Sequence, residues 1–120
     1  MKISGMVVHG KKEARLLEYP TANVEYHTEE RPQEGIWTCW FVVDGQQIQS
    51  VAIVGMWELA GGEPSLEVHA FKDVGNLYDK EVEVIFEERL RGLMLFKTVD
   101  ALTTQIKQDM EQARAWFTSH

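Results

Sequence analysis

The sequence predicts a mainly β protein: a small antiparallel barrel with one helix packed on it at the C-terminal end. Three observations carry this. Up to Phe96 the chain is a series of short apolar segments separated by turn signals. Asp44-Gly45 stands between two apolar runs as a type I′ hairpin signal. After Phe96 the hydrophobic period changes from two to three-and-four, the period of a helix face.

Each element has its own justification. "ISGMVVHG" is a short apolar run closed by Gly10. "LEYPTANVEY", Leu17 to Tyr26, begins its β-type part at a proline, which has no N–H to give to a central ladder but can start a strand. "IWTCWFVVDGQQIQSVAIVGMW" is the clearest hairpin, and Val51 to Val54 lack polar alternation, which places them in the core. Glu58 to Ser65 form a polar, glycine-rich loop of the kind that often carries function. In "SLEVHAF", Leu66, Val68 and Ala70 share one face, and Glu67, His69 and Phe71 the other. In "KEVEVIFEERL", Val82, Val84 and Phe86 oppose Glu81, Glu83 and Ile85. Leu102, Ile106, Met110, Ala113 and Phe117 then make a helical stripe, with Thr98 as N-cap and Asp100 in the first turn, where it suits the helix dipole.

The chain of 120 residues is one domain's worth, 1–120, able to bury a single core. A formal charge of −7 without a lysine or arginine cluster argues against a nucleic-acid binder. It leaves room for a mononucleotide held through a divalent cation and backbone N–H groups. The single cysteine, Cys39, excludes an intrachain disulfide and suits a reducing compartment. The opening residues lack a signal-peptide core and no run reaches membrane-spanning length. The expectation is a cytoplasmic monomer with small-molecule substrates, no nucleic-acid partner and no membrane partner.

Four sets of residues carry candidate chemistry. In an extended segment Thr21 and Asn23 project to one face, and their hydroxyl and amide oxygens are hard donors suited to Mg²⁺. The plain alternative is a turn proline followed by solvent-facing polar residues. Glu67 can accept a proton from a hydroxyl substrate during phosphoryl transfer, or be one more solvated carboxylate on an antiparallel sheet. His69 has no partner at ligand spacing and reads as a packed or exposed strand histidine. Arg91 can meet a phosphate or a polar ring edge, or pair at the surface with Glu87 or Glu88. Trp37, Trp40, Trp57 and Trp116 are core candidates first, and Cys39 reads as a small core residue.

Taken together these pieces resemble a family. Gly10, Arg15, Leu17-x-x-Pro20-Thr21-Ala22-Asn23, Gly35-Ile36-Trp37, Val54-Gly55, Glu67-Val68-His69, Leu77-Tyr78, Leu90-Arg91 and Phe96 fall in the order of the riboflavin kinases of the bacterial and eukaryotic type. Leu102, Ile106, Asp109 and Ala113 agree with it along the helix. The resemblance implies a six-stranded Greek-key barrel with a C-terminal helix. It implies transfer of the γ-phosphate of ATP to the ribityl 5′-hydroxyl of riboflavin, giving FMN, with Mg²⁺ as the metal and Zn²⁺ or Mn²⁺ as substitutes. By the same resemblance Thr21 and Asn23 bind the metal, and Glu67 activates the hydroxyl. Gly10, Ala14, Arg15 and Tyr78 join Thr21 and Asn23 on the nucleotide side, and Arg91 and Phe96 lie on the flavin side. The chain departs from the pattern in places: Ala14 and Glu18 replace glycines of the nucleotide loop, Met56-Trp57-Glu58 stand where a Pro-Thr pair often follows the glycine at Gly55, and Leu93 replaces a glutamate after the arginine. The second function compatible with these residues is a non-catalytic flavin- or nucleotide-binding module built on the same barrel. Retention of Glu67 favours the enzyme, since a pure binder needs no base.

Overall fold

The computed structural model describes residues 1–8, 21–26, 32–55 and 66–120. Six strands, β1 (Lys2–Val8), β2 (Thr21–Tyr26), β3 (Gly35–Val43), β4 (Gln46–Val54), β5 (Leu66–Ala70) and β6 (Glu81–Arg91), precede one helix, α1 (Val99–Ser119). The strands close into an antiparallel barrel in the order β1-β2-β5-β4-β3-β6. Sequential strands pair except where the chain crosses from β2 to β3 and from β5 to β6, a Greek-key path.

The β3–β4 hairpin forms as the sequence predicts. Asp44 and Gly45 both take positive φ, 51° and 78°, and Val43 pairs with Gln46 across the turn. That is the I′ geometry, whose twist matches the strands it joins. Inward residues fill the barrel: Val7, Phe41, Val54, Val68 and Val84 belong to one core cluster. Val51 to Val54 read as an unbroken apolar run because both faces are covered. Ala52 and Val54 point into the barrel, while Val51 packs outside with Ile36, Met110 and Ala113 under α1.

Helix α1 begins as expected, with Thr98 Oγ1 accepting from Ala101 N at 3.0 Å. Its stripe lies on β3, β4 and β6, with Met110 and Ala113 buried and Ile106 half-buried. Of the tryptophans, Trp37 borders the barrel interior, edge-on to Phe86 at 5.4 Å. Trp40 lies outside against Phe117, and Trp116 stacks on His120 at the end of the helix. Trp40 thus serves the helix seam and Trp116 the end of the helix itself, neither the barrel core, and Trp57 falls outside the described residues. Cys39 is fully buried and burial pushes its thiol pKa up, so it behaves as the small core residue expected.

Sequence periodicity misses the end of β6. Register shifts between Ile36 and Cys39 leave extra β6 residues opposite β3. Thr38 sits at one shift, and its Oγ1 accepts the Glu88 N–H at 3.0 Å. Bulges of this kind bend a strand and re-aim its side chains. Here Leu90 joins the cluster under the helix and Arg91 reaches the helix itself. Gly35 lies where β3 meets this end of β6: its φ is 134°, and a Cβ there would collide with the Arg91 carbonyl oxygen.

Candidate functional site

The pairing of β2 with β5 brings the predicted residues together. Asn23 stands directly opposite Glu67, and Thr21 opposite His69. Ala22, Val24, Leu66 and Val68 fill the barrel, so strand alternation turns Asn23 and Glu67 to the outer wall. Directly opposed side chains of that kind have Cβ atoms about 4.5–5.5 Å apart. Both are half-buried, neither sealed in the core nor standing free in water. The side chain of Thr21, the residues Gly10, Ala14, Arg15 and Glu18, and the Glu58–Ser65 loop all lie outside the described residues.

His69 is the surprise of this wall. It is on the outer face, as alternation predicts, yet only 1% exposed. Its Nε2 lies 3.8 Å from Glu67 Oε2. A carboxylate at that distance favours the charged imidazole, while burial disfavours it. Burial wins and pushes the pKa of His69 down to about 4 from the usual 6.5. The folded protein therefore holds His69 neutral between those values, where the unfolded chain protonates it. Its contribution to stability is complete above pH 6.5 and is lost as pH falls towards 4. Between pH 7 and pH 5 the wild type is expected to lose about 2 kcal/mol more unfolding free energy than His69→Leu. Parallel urea titrations of the two proteins at both pH values measure the difference. Equal losses would mean that the imidazole is not held neutral.

Tyr78 is exposed, on the turn that ends at Lys80. Asp79 N donates to Val7 O at 2.9 Å, and the next β1 residue, Val8, pairs with Asn23. The turn carrying Tyr78 is thus separated from Asn23 by β1, and from Glu67 by β1 and β2. The other predicted residues follow from the register. Glu67 pairs with Ile53, Ile53 with Ile36, and Ile36 with Arg91. At ~4.8 Å per strand, Arg91 is about 14 Å around the wall from Glu67.

Arg91 pairs with neither Glu87 nor Glu88. Its Nε and Nη2 donate to Asp109 Oδ1 and Oδ2 at 2.8 and 2.6 Å, a two-pronged grip on α1. Its Nη1 donates to Gly92 O at 2.8 Å. Asp109 is 3% exposed and also accepts from Gln105 Nε2 at 3.1 Å. Phe96 is half-buried in the segment between β6 and α1.

The donor chemistry of the wall fits a hard cation. Asn23 supplies a neutral amide oxygen, a ligand type of Mg²⁺ bound mainly through water and phosphate. No group of three or more His, Cys, Asp or Glu side chains suited to a metal forms among the described residues. Among the described residues the fit therefore rests on Asn23. No described helix is long and apolar enough to cross a membrane.

The described site is thus an amide side chain opposite a carboxylate on the outer wall of a closed β-barrel. Comparison with known proteins gives the family. The family model described as "Flavokinase: Riboflavin kinase" matches residues 1–117. A bifunctional riboflavin kinase/FMN adenylyltransferase of Pseudomonas fluorescens is 38% identical over 95% of this chain, which spans 37% of that protein's length. A crystal structure described as a macrolide-efflux protein from Streptococcus pneumoniae superimposes with a TM-score of 0.84 at 32% identity, over 96% of this chain and 38% of the other. Riboflavin kinase from Trypanosoma brucei gives a TM-score of 0.67 at 20% identity, over 98% and 79% of the two chains, a likeness of fold. The chain belongs to the riboflavin kinase family. Its six-stranded barrel and C-terminal helix are those of that family's fold.

Proposed function

We propose that the protein is a riboflavin kinase, transferring the γ-phosphate of ATP to the ribityl 5′-hydroxyl of riboflavin. Family membership supports the substrates. The single observation that carries the chemistry is the direct pairing of Asn23 with Glu67 on the outer barrel wall. Glu67 takes the proton of the 5′-hydroxyl as its oxygen bonds to the γ-phosphorus and the bond to the β,γ-bridging oxygen breaks, leaving FMN and ADP. Asn23, with Thr21 as the companion assigned by resemblance, holds the cation on the nucleotide. That cation, Mg²⁺ or a substitute such as Mn²⁺ or Zn²⁺, supplies positive charge to the phosphoryl oxygens. By the same resemblance Gly10, Ala14, Arg15 and Tyr78 are assigned to the nucleotide side. Arg91 and Phe96 lie on the flavin side, Arg91 acting there through the peptide and the helix it holds.

Incubation with riboflavin, ATP and each metal in turn, followed by chromatography, is expected to yield FMN. Asn23→Ala is expected to need about ten- to a hundredfold more MgATP for the same rate, the usual consequence of losing one polar ligand. No FMN above a protein-free control with any metal would overturn the kinase reading. Riboflavin binding without turnover would identify the non-catalytic module instead.

A further inference from the structure

The segment that leaves β6 presents an arrangement that the kinase chemistry does not by itself require. The carbonyl of Gly92 and the N–H of Leu93 belong to one peptide unit, and each edge is held by a different charged side chain. Arg91 Nη1 donates to Gly92 O at 2.8 Å. Leu93 N donates to Glu34 Oε2 at 2.9 Å. Both holders are themselves held. Arg91 is gripped by Asp109 of α1. Glu34 Oε1 accepts from Arg89 Nη2 at 3.1 Å, while Arg89 Nε donates to the Glu34 carbonyl at 2.9 Å. Asp109, Arg91, the peptide, Glu34 and Arg89 thus form one chain of contacts from the helix to the start of β3. A Cβ on Gly92 would stand 3.1 Å from Arg89 Nη2, so glycine lets the clamp close around the peptide.

Immediately beyond the locked peptide stand three large apolar side chains in water. Leu93 is 36% exposed, Met94 51% and Leu95 fully exposed. A run of that kind on a rigid base is a contact surface more often than an accident. Riboflavin carries its reactive hydroxyl at the end of an extended polyol and its flat, largely apolar ring at the other end. Its ring must therefore rest well away from the base that takes the hydroxyl proton. The clamp lies at the far end of the register row that starts at Asn23 and Glu67, about 14 Å along the wall at ~4.8 Å per strand.

We propose that Glu34 is a positioning residue for the acceptor. Through the Leu93 N–H it fixes the orientation of the Gly92–Leu93 peptide and so of the apolar strip Leu93–Leu95 on the acceptor's side. The proposal rests on the riboflavin reading above. Glu34 touches no reacting atom, so its effect falls on acceptor affinity and not on the chemical step. An ordered strip binds a flat ring without first losing conformational freedom, which is the advantage of preorganisation.

The test is steady-state kinetics on Glu34→Ala and Glu34→Gln, with riboflavin binding followed independently by quenching of its fluorescence. Glu34→Ala loses the acceptor for Leu93 N and is expected to raise the riboflavin KM and Kd about tenfold, with kcat and the ATP KM within about twofold. Glu34→Gln keeps an oxygen for that N–H and is expected to recover the riboflavin KM to within about threefold of wild type. A lower melting temperature with unchanged riboflavin KM would overturn the proposal, leaving a purely structural clamp. So would equal rises in both substrate KM values, or no rescue by glutamine. If Glu34→Ala does not fold, Arg89→Met replaces it: loosening the far oxygen should raise riboflavin KM about threefold, and no change overturns the role. Wild type that binds riboflavin without making FMN would fail the kinase reading alone, and the Kd series would still decide the role of Glu34. Wild type that neither binds nor turns over riboflavin overturns both.

Discussion

Glu67→Gln is expected to lower kcat for FMN formation by ~10²–10⁴-fold, the usual contribution of a positioned general base. Glutamine keeps the shape of the side chain and its place opposite Asn23 and Ile53, but it cannot take the proton of the 5′-hydroxyl. Only the chemical step should suffer. Riboflavin Kd and MgATP affinity are therefore expected within about threefold of wild type, because uniform binding is not what is removed. The setting favours the assignment. The carboxylate is 29% exposed, open enough to meet a substrate. Rapid-quench turnover with both substrates saturating separates the outcomes. A solvated, uninvolved glutamate would leave turnover near normal, and that result would move the base to another residue.

Where local chemistry decides structure, the sequence was legible. Asp44-Gly45 determines its turn through two positive-φ residues, and Thr98 its helix start through one hydroxyl. Both depend on neighbours a few residues away. The candidate pair was legible in kind but not in place. Asn23 and Glu67 each carry recognisable chemistry, yet nothing within either strand says that β2 and β5 adjoin. That follows from the Greek-key path. For His69 the sequence left packed and exposed both open, for a related reason. Alternation gives the face of a residue, whereas burial depends on what covers that face. Least legible was the end of β6. Leu93 N meets a carboxylate 59 residues earlier, and Arg91 one 18 residues later. The shifts that aim Arg91 at α1 break the very alternation from which a strand is read. Glutamates such as Glu87 and Glu88, adjacent in sequence, look the better partners until the bulges are known. The one available signal for Asp109 was its place on the helical stripe beside Met110, where a carboxylate cannot be buried without a cation or strong donors.

That buried pair carries the second large effect. Arg91→Met is expected to destabilise the protein by about 3–5 kcal/mol, since it strands the Asp109 carboxylate in a site that is 3% exposed. Gln105 remains as a single neutral donor, too little to replace a two-pronged guanidinium. For a domain of this size the loss corresponds to a fall in melting temperature of roughly 10 °C or more. The helix is also held by Met110, Ala113 and the half-buried Ile106, so the fold need not be lost altogether. The cause of the loss can be separated from the loss of contact. In Arg91→Met/Asp109→Leu both charges are gone and an apolar pair takes their volume, so no ion is left without a partner. This double variant is expected to recover more than half of the stability lost in the single variant, because the penalty lies in the uncompensated charge. Denaturant titration of wild type, both single variants and the double variant gives the coupling directly. If Arg91→Met lies within about 0.5 kcal/mol of wild type, the pair behaves as a solvated surface bridge. Docking of α1 would then rest on its apolar stripe alone.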